Sequence, residues 1–410
     1  MSIHSIDSRV SPVIKIACYG FSFYKIAKIV NLGPQFQMDV YLQRRDFESF
    51  KSEIGKYADW VHCIEFDVKE RKYLTRGRLW EKLGVSADLY LLSDDSPLFA
   101  YPSRGSKVIF MPIGFDLTVL PFVRRSKMRS SSFKGKLKRL IVSLIQKFRI
   151  RQVDEIWASP FPIFVNSLKL IRKDIELERF LPFPINFEAH VDPYSNREEI
   201  GLTTIPKNRF QVFFPGRLMV TKSELDLLTG QTKGAEKAIL AFAEFVKTTN
   251  QHSILILIDN PHSPDSKIVK SLISDLEISD NVLWLSNSVL TGRFTSFEMA
   301  GVYRNSDVIL GDFGAGWFGQ TIIEAGAHRK PVISNIDDAL MTKFFGNNPF
   351  LQANSEKEIF FQLESLHNST ALRTRKADEI GLWFEEYFSH NAVKRWFEEE
   401  ITAFFKKKDV

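Results

Sequence analysis

The sequence predicts an α/β protein made of two doubly wound domains, and three observations carry that prediction. A chain of 410 residues exceeds what one hydrophobic core usually supports, which favours two domains. Short runs rich in Val, Ile, Tyr and Phe alternate with helical patterns along both halves. The runs are apolar on both faces, as the strands of buried parallel sheets are. Together they predict two parallel sheets, each covered by helices.

The predicted strands fall into two sets. Six lie in the first half, at 13–20, 38–43, 60–66, 87–93, 107–114 and 154–159. Five lie in the second half, at 210–216, 253–259, 281–286, 306–312 and 330–334, and loops and helices alone are expected after them. The stretch 180–199 is rich in proline and lacks periodicity, which is typical of a linker. The predicted domains are 1–185 and 205–380, with a linker at 186–204.

The C-terminal stretch has no strand left to pair with, yet it carries aromatic residues at helical spacings. They are Trp383, Phe384, Tyr387, Trp396, Phe397 and Phe404. We therefore expect 381–410 to form a helix that crosses back to the first domain.

Composition limits the partners and the compartment. The net charge of +6 and the pI near 9.0 favour anionic partners. Cys18 and Cys63 are too few for a disulfide framework or a metal site, which indicates a reducing compartment. No apolar run is long enough to span a bilayer. We expect a cytoplasmic protein.

A glycine-rich stretch near the end, "GDFGAGWFGQTIIEAGAHRKPVIS" at 311–334, fits two functions. Gly314, Gly316 and Gly319 match the G-x-G-x-x-G fingerprint of an NAD-type oxidoreductase. That fingerprint normally begins its domain, however, whereas this one follows the fourth predicted strand of the second set. Trp317 also places a large side chain in a loop that would have to approach a pyrophosphate closely. These points favour the second function, a sugar-nucleotide site.

Two cations follow the first strand of the second domain. Arg217 comes directly after the strand, and Lys233 with Gly234 precedes an amphipathic helix. Cations at a sheet edge near a helix N-terminus suit a diphosphate, although both side chains are equally compatible with a solvated loop.

The order of motifs resembles a known family. "FFPGR", "KGAEKAILAF", "ILILID", "YRNSDVIL" and "GWFGQTIIEAGAHRKPVIS" are similar to the donor half of group 1, retaining GT-B glycosyltransferases. Over the first domain the likeness is only architectural. The resemblance implies two Rossmann-like domains facing a cleft, and sugar transfer from a UDP-, GDP- or ADP-sugar without a metal or cofactor. It also implies an acceptor that is a glycan or a lipid-linked saccharide of a cell-surface polysaccharide pathway.

The resemblance implies roles for individual residues. Arg217 and Lys233 would neutralise the diphosphate and act in catalysis, and Glu324 would accept hydrogen bonds from the ribose. The remaining donor-binding residues implied are Gly20, Gly316, Trp317, Phe318, Gly319, Gln320 and Thr321. The family's E-x7-E pair is incomplete, because Gly316 stands where its first glutamate would be.

This departure leaves alternatives open. Asp312 is a candidate substitute for the missing carboxylate, and Trp317 would either stack on the sugar or pack between domains. A protein that binds sugar nucleotides but has lost catalysis also fits the sequence.

The first domain is expected to bind the acceptor. In "PIGFDLTVLPF", 112–122, Ile113 replaces the histidine of the family's His-Gly-x-Asp pattern, and Asp116 is the candidate acceptor-binding or base-like carboxylate. A loop-capping role is its alternative. Asp94 and Asp95 are weaker candidates, and His190 and His328 have no assigned role.

The segment 124–151 holds eleven Lys and Arg residues and no acid. Its apolar residues form a helical stripe: Leu137, Leu140, Ile141, Leu144, Ile145 and Phe148. It fits a surface helix on anionic lipid, which would make the protein peripheral on the inner face of the cell membrane, and equally a helix that covers the first sheet. Nucleic acid is not expected, since the segment holds few aromatic residues to stack on bases.

Overall fold

The computed structural model divides the chain into two compact units. It describes residues 13–20, 23–31, 33–48, 58–66, 76–173, 184–185, 190–191, 206, 208–220, 223–229, 232–249, 252–260, 263–285, 294, 296–314 and 316–407. The first unit comprises the described residues up to Ala158, a segment starting at Ser167, and the chain from Trp396 onward. The second comprises Ser159–Asn166 and the described residues from 184 to Arg395.

The first unit is built on a parallel six-stranded sheet. Its strands are β1 (Ile14–Tyr19), β2 (Phe36–Gln43), β3 (Val61–Ile64), β4 (Leu89–Leu92), β5 (Lys107–Phe110) and β6 (Glu155–Ile156). The strand order is β3-β2-β1-β4-β5-β6, so the order reverses direction between β1 and β4. The helices are α1 (Tyr24–Val30), α2 (Arg78–Leu83), α3 (Phe115–Thr118), α4 (Val123–Lys127) and α5 (Phe133–Gln152). A sixth helix, α6 (Pro162–Ile171), begins in the second unit and ends in the first.

The second unit repeats this topology. Its strands are β7 (Phe210–Phe214), β8 (Ser253–Ile258), β9 (Val282–Leu285), β10 (Val308–Leu310), β11 (Val332–Ser334) and β12 (Leu351–Gln352). They are ordered β12-β11-β10-β7-β8-β9, and the order reverses between β7 and β10. The helices are α7 (Glu224–Thr229), α8 (Ala235–Thr248), α9 (Pro264–Asp275), α10 (Ser296–Asn305), α11 (Gln320–Ala327), α12 (Asp338–Phe345), α13 (Glu356–Asn368) and α14 (Thr370–Tyr387). The last helix, α15 (His390–Lys406), begins in the second unit and continues into the first.

Both faces of the second sheet are buried, which explains why its strands are apolar throughout. Val212 and Phe214 of β7 pack in one hydrophobic cluster, and Phe213 between them packs in another on the opposite face. β8 alternates in the same way, with Leu255 and Leu257 on one face and Ile256 on the other.

The structure confirms the predicted fold class and all eleven predicted strands. The prediction that loops and helices alone follow 334 is wrong, because β12 adds a sixth parallel strand beside β11. The two residues of β12, Leu351 and Gln352, are only partly buried and form no apolar run that would mark a strand.

The C-terminal helix joins the first unit only from Trp396 onward. Trp396 and Phe397 pack edge-on against Trp157, with ring centroids 5.3 and 6.0 Å apart. Trp383 and Phe384 instead lie in the core of the second unit. The predicted return to the first domain is therefore present, but it begins later than 381.

Candidate functional site

The loops at the carboxyl end of β7 and β10 form the candidate site of the second unit. The two strands are neighbours, with Val308 opposite Val212, and the strand order reverses between them. Ligands of doubly wound sheets bind at such a reversal, beyond the carboxyl ends of the strands. Arg217, which is exposed, follows β7 at this edge, and Asp312 follows β10.

An ion pair joins the two loops. The Nζ atom of Lys233 donates a hydrogen bond to Oδ2 of Asp312, and the side chains are 29% and 7% exposed. The other carboxylate oxygen of Asp312 accepts from the amide of Gly314 at 2.8 Å. Asp312 therefore holds the ammonium group at the sheet edge while leaving part of it open to solvent.

Two glycines let these loops approach each other closely. A Cβ atom added to Gly314 would lie 1.9 Å from the carbonyl oxygen of Thr232. Gly234 has a φ of +72°, and its Cβ would lie 2.6 Å from Cβ of Phe313. Gly314 is thus required by contact with its own chain, which accounts for one fingerprint glycine without a pyrophosphate.

Helix α11 begins at the same edge of the sheet. Gly319 is its N-cap residue, and no side chain of the described residues caps it. Gly319 and Gln320 are exposed, and Thr321 is partly buried. The first amides of a helix lack intrahelical partners and carry the positive end of its dipole, so this helix start can bind an anion.

Glu324 lies one turn inside α11 and is mostly buried, with 14% of its side chain exposed. Its Oε1 atom is 3.8 Å from Nε2 of His190, and the carboxylate also interacts with the hydroxyl of Tyr303. The structure thus brings Arg217, Lys233, the start of α11 and Glu324 onto loops and a helix at one sheet edge.

Trp317 and Phe318 are core residues. Trp317 is 1% exposed and Phe318 6% exposed, and the two rings stack on each other with centroids 4.7 Å apart. Both pack against Phe345 inside the second unit. Neither ring has an exposed face. Trp317 therefore packs within its own unit, in place of the expected stacking on a sugar or packing between domains.

In the chain, Gly316 stands between Asp312 of the ion pair and Trp317. Its φ is +71°, a conformation that favours glycine, and a Cβ atom placed there would meet nothing within 4 Å. The position at which the family carries a glutamate is therefore open space in this chain.

In the first unit, Gly20 ends β1 beside the reversal of strand order. Its φ is +115°, and its amide donates to the carbonyl of Tyr41 at 3.2 Å. Its role toward donor phosphates stays a prediction.

Asp116 is fully buried, and its contacts are those of a residue that orders loops. Its carboxylate accepts hydrogen bonds from the backbone amides of Asp94, Ile113, Gly114 and Leu117, at 2.8 to 3.1 Å. The carboxylate therefore joins the loop after β4 to the loop after β5. Among the described contacts of Asp116, the backbone amides account for both carboxylate oxygens, which matches the loop-capping alternative.

This burial predicts a specific pH dependence. Burial raises the pKa of Asp116 to about 7, although hydrogen bonds from Gly114 and Ile113 act in the opposite direction. Because the folded state holds this proton more tightly than the unfolded state, the group's contribution to stability is full below pH 4 and is lost as the pH rises toward 7. In Asp116→Asn, which cannot titrate, this loss should be absent.

We expect the stability advantage of the wild type over Asp116→Asn to shrink between pH 4 and 7.5, by roughly 1.4 kcal/mol for each unit by which the pKa is raised. Urea unfolding of both proteins across this range measures the difference. If the free energies of unfolding of the two proteins change with pH in parallel, the carboxyl group titrates normally.

Within the described ranges, no group of three or more His, Cys, Asp or Glu side chains is placed to hold a metal ion. The expectation that catalysis needs no metal stays a prediction.

Comparisons with known proteins bear on the fold. No family model and no curated protein matches the sequence. Among solved structures, sucrose-phosphate synthase (tll1590) from Thermosynechococcus elongatus aligns over 96% of this chain and 100% of its own, with a TM-score of 0.62 and 14% identity. Alr3699/HepE from Anabaena, solved with UDP, aligns over 95% and 100%, with a TM-score of 0.63 and 12% identity. The chain has the GT-B fold.

WaaG, a glycosyltransferase involved in lipopolysaccharide biosynthesis, matches this GT-B chain with a TM-score of 0.53 and 13% identity over 91% of this chain and 95% of its own. A UDP-N-acetylglucosamine 2-epimerase matches as well, with a TM-score of 0.51. Since the GT-B fold carries more than one reaction, the function has to be argued from the site.

Sequence reasoning missed two residues next to Glu324. Tyr303 lies on α10 and contributed to the sequence prediction only within the motif "YRNSDVIL", and His190 lies in the stretch predicted as a linker. Most of that linker is outside the described residues, but His190 itself is 5% exposed and belongs to the second unit. A single histidine among prolines carries no pattern from which this position could be predicted.

Proposed function

We propose that the protein is a glycosyltransferase that moves a sugar from a nucleoside diphosphate donor to an acceptor. The observation that carries the proposal is the set of groups at the carboxyl edge of β7 and β10. A partly exposed ammonium, an exposed guanidinium and a helix start without a side-chain cap lie there, with a mostly buried carboxylate one turn further on. Each of these groups complements one part of a nucleoside diphosphate.

In this proposal, Arg217 and Lys233 stabilise the leaving group. Negative charge grows on the diphosphate as the glycosidic bond breaks, and fixed cations stabilise that charge without reorganising. The amides of Gly319, Gln320 and Thr321 bind phosphate oxygens at the start of α11. Retention of the anomeric configuration is part of the proposal and rests on the family resemblance alone.

Glu324 binds the ribose. A carboxylate accepts from both hydroxyls of a diol, and such charge-assisted hydrogen bonds are stronger than neutral ones. The match to HepE, which was solved with UDP, supports a UDP-type donor, although the likeness at 12% identity is one of fold.

We further propose that the acceptor is a lipid-linked saccharide met at a membrane surface, and that α5 is the docking element. Five apolar side chains of α5 are at least half exposed: Phe133, Leu137, Ile141, Leu144 and Phe148, from 50% to 83%. At 3.6 residues per turn they occupy one arc of about 80°. Lys134 and Lys136 beside them are exposed as well. An apolar stripe flanked by cations complements an anionic lipid surface.

The opposite face of α5 is polar and connects to the first sheet. Ser143, Gln146 and Arg149 are buried there. The amide nitrogen of Gln146 donates to the carbonyl oxygens of Asp94 and Asp116, at 3.1 and 3.4 Å. The docking helix is thus tied to the loops after β4 and β5, where the family resemblance implies acceptor binding. Among the described helices, none combines the length and apolar character that a membrane span requires, so surface binding is the mode proposed.

Binding to anionic vesicles should depend on charge. Each Lys or Arg near such a surface contributes about 1 kcal/mol, and salt screens the attraction. Replacing Lys134, Lys136, Lys138 and Arg139 with Gln should therefore abolish cosedimentation with vesicles of phosphatidylserine and phosphatidylcholine. Wild-type binding should fall steeply as the salt concentration rises.

A matched variant carries the same change in net charge elsewhere: Lys247, Lys267, Lys357 and Arg375, all exposed, replaced with Gln. It should bind as the wild type does. If both variants lose vesicle binding equally, the effect comes from net charge alone. If both retain vesicle binding, α5 is an ordinary surface helix.

The catalytic proposal is tested by incubating the protein with UDP-, GDP- and ADP-sugars and measuring release of the nucleotide. One donor should release its nucleotide slowly in the absence of an acceptor. Binding without release would favour a sugar-nucleotide binding protein without catalysis, which the missing carboxylate at Gly316 makes the second candidate. Binding of NAD alone would contradict both.

A further inference from the structure

Behind Glu324 lies a buried polar cluster contributed by three parts of the second unit. His190 precedes β7, Tyr303 lies on α10 and His328 follows α11. The Nδ1 atom of His190 and the Nε2 atom of His328 are 2.9 Å apart and share a hydrogen bond. The other ring nitrogen of His190, Nε2, faces Oε1 of Glu324 at 3.8 Å. The imidazole of His190 is thus fixed on one side by a histidine and faces the carboxylate on the other.

His328 is uncharged at neutral pH. Burial, together with the nearby charges of Arg304 and Lys330, lowers its pKa to about 3. Its imidazole therefore carries one proton at neutral pH, so the bond to His190 has one donor and one acceptor. When Nε2 of His328 donates this bond, Nδ1 of His190 accepts it. His190 then carries its own proton on Nε2 and presents that N–H group toward Glu324.

Tyr303 interacts with the carboxylate of Glu324 through its hydroxyl group. Burial raises the pKa of Tyr303 well above the usual value, and the charge of Glu324 raises it further. The phenol therefore stays protonated. The hydroxyl also donates a hydrogen bond to the carbonyl oxygen of Thr321 at 2.9 Å, in the first turn of α11, so one proton serves both this carbonyl and the carboxylate. Tyr303 thus contacts both the helix start and the carboxylate one turn later.

The rings of the cluster hold one another in place. Tyr303 and His328 lie nearly parallel, at 10° with centroids 5.7 Å apart, and His190 meets Tyr303 edge-on at 6.0 Å. Tyr303 and His190 are also almost completely buried. Side chains confined in this way lose little further freedom when a ligand binds.

We propose that His190 and Tyr303 are positioning residues that orient the Glu324 carboxylate so that it accepts hydrogen bonds from the ribose hydroxyls of the donor. His328 acts one step further away, by fixing the ring of His190. The inference rests on the proposed function, since it assigns partners to the ribose-binding carboxylate of that function.

Discrimination between ribose and deoxyribose tests this role. The wild type should bind the nucleoside diphosphate identified among UDP, GDP and ADP at least about tenfold more tightly than its 2′-deoxy counterpart, because a charge-assisted hydrogen bond is lost with the hydroxyl. Tyr303→Phe removes only one oxygen, and His190→Leu removes both ring nitrogens. In each variant the ratio of the two dissociation constants should fall toward one. His190→Gln, which keeps an N–H donor near the position of Nε2, should retain most of the ratio.

The ratio separates positioning from folding, because a merely weakened fold lowers the affinity for both nucleotides equally. His367→Leu is the matched control, since His367 packs on the rings of Phe210 and Phe245 in the same unit. It should keep the full ratio. Tyr303→Phe and His190→Leu proteins that keep the wild-type ratio would overturn the inference and leave the proposed function standing. A wild type that binds none of the three nucleotides would instead overturn the proposed function.

Discussion

Replacing Arg217 with alanine is expected to lower the rate of nucleotide release from the donor by about 10²–10³, while weakening nucleotide affinity less. The guanidinium is exposed at the carboxyl end of β7. Its bidentate fork matches a phosphate group, and its charge acts most strongly when the diphosphate is leaving. A loss confined to the transition state lowers turnover more than binding.

Arg217→Lys is the control, because it keeps the charge and loses the planar fork. Its turnover should lie between those of the wild type and Arg217→Ala. Equal losses of affinity and turnover in Arg217→Ala would show instead that the side chain binds the ground state and the transition state alike.

The second large effect concerns Gly314. Gly314→Ala should lower the midpoint of thermal unfolding by about 5 °C or more, because overpacking of this kind usually costs roughly 1–3 kcal/mol or more. The added Cβ atom would stand 1.9 Å from the carbonyl oxygen of Thr232, which is backbone and cannot turn away. Relief requires that the loops holding Lys233 and Asp312 separate, so nucleotide binding should weaken as well.

Gly319→Ala provides the matched substitution in the same stretch. A Cβ atom at Gly319 meets nothing within 4 Å, and its φ of −116° is allowed for any residue. The variant should unfold at the wild-type temperature. Any loss of nucleotide affinity in it would then report a phosphate close to the helix start. Equal stability of Gly314→Ala and the wild type would contradict the close packing of the two loops.

The central strands could be predicted from the sequence because both of their faces are buried, as in β4 and β8, which makes the runs apolar and bounded. β12 could not, since Leu351 and Gln352 are only partly buried and form no apolar run. The apolar stripe on α5 could also be predicted, but whether it points to the sheet or to solvent could not. Periodicity shows that a helix has two faces, and here hydrogen bonds from Gln146 place the polar face inward and leave Leu137 and Ile141 outward.

In the candidate site, too, some residues could be predicted from the sequence and others could not. The positions of Arg217, Lys233 and Glu324 near one edge of the sheet could be predicted, because each follows a strand end or a helix start. Their roles rest on the family resemblance and stay predictions. The partners of Glu324 were not, because His190 and Tyr303 reach it only through the tertiary fold. The glycine pattern itself was ambiguous in the sequence. The structure explains Gly314 by its contact with Thr232, which weakens the match to a dinucleotide fingerprint.

Calorimetry with UDP, GDP, ADP and NAD tests the central claim, that the edge of the second sheet binds a nucleoside diphosphate through Arg217 and Glu324. The account predicts that one diphosphate binds the wild type and that Glu324→Gln weakens its binding at least about tenfold. Gly316→Glu should retain this binding, since a Cβ atom there meets nothing within 4 Å, while its φ of +71° should make the variant somewhat less stable to unfolding. Tight NAD binding that disappears only in Gly316→Glu, with Glu324→Gln and Arg217→Ala unchanged, would contradict the account.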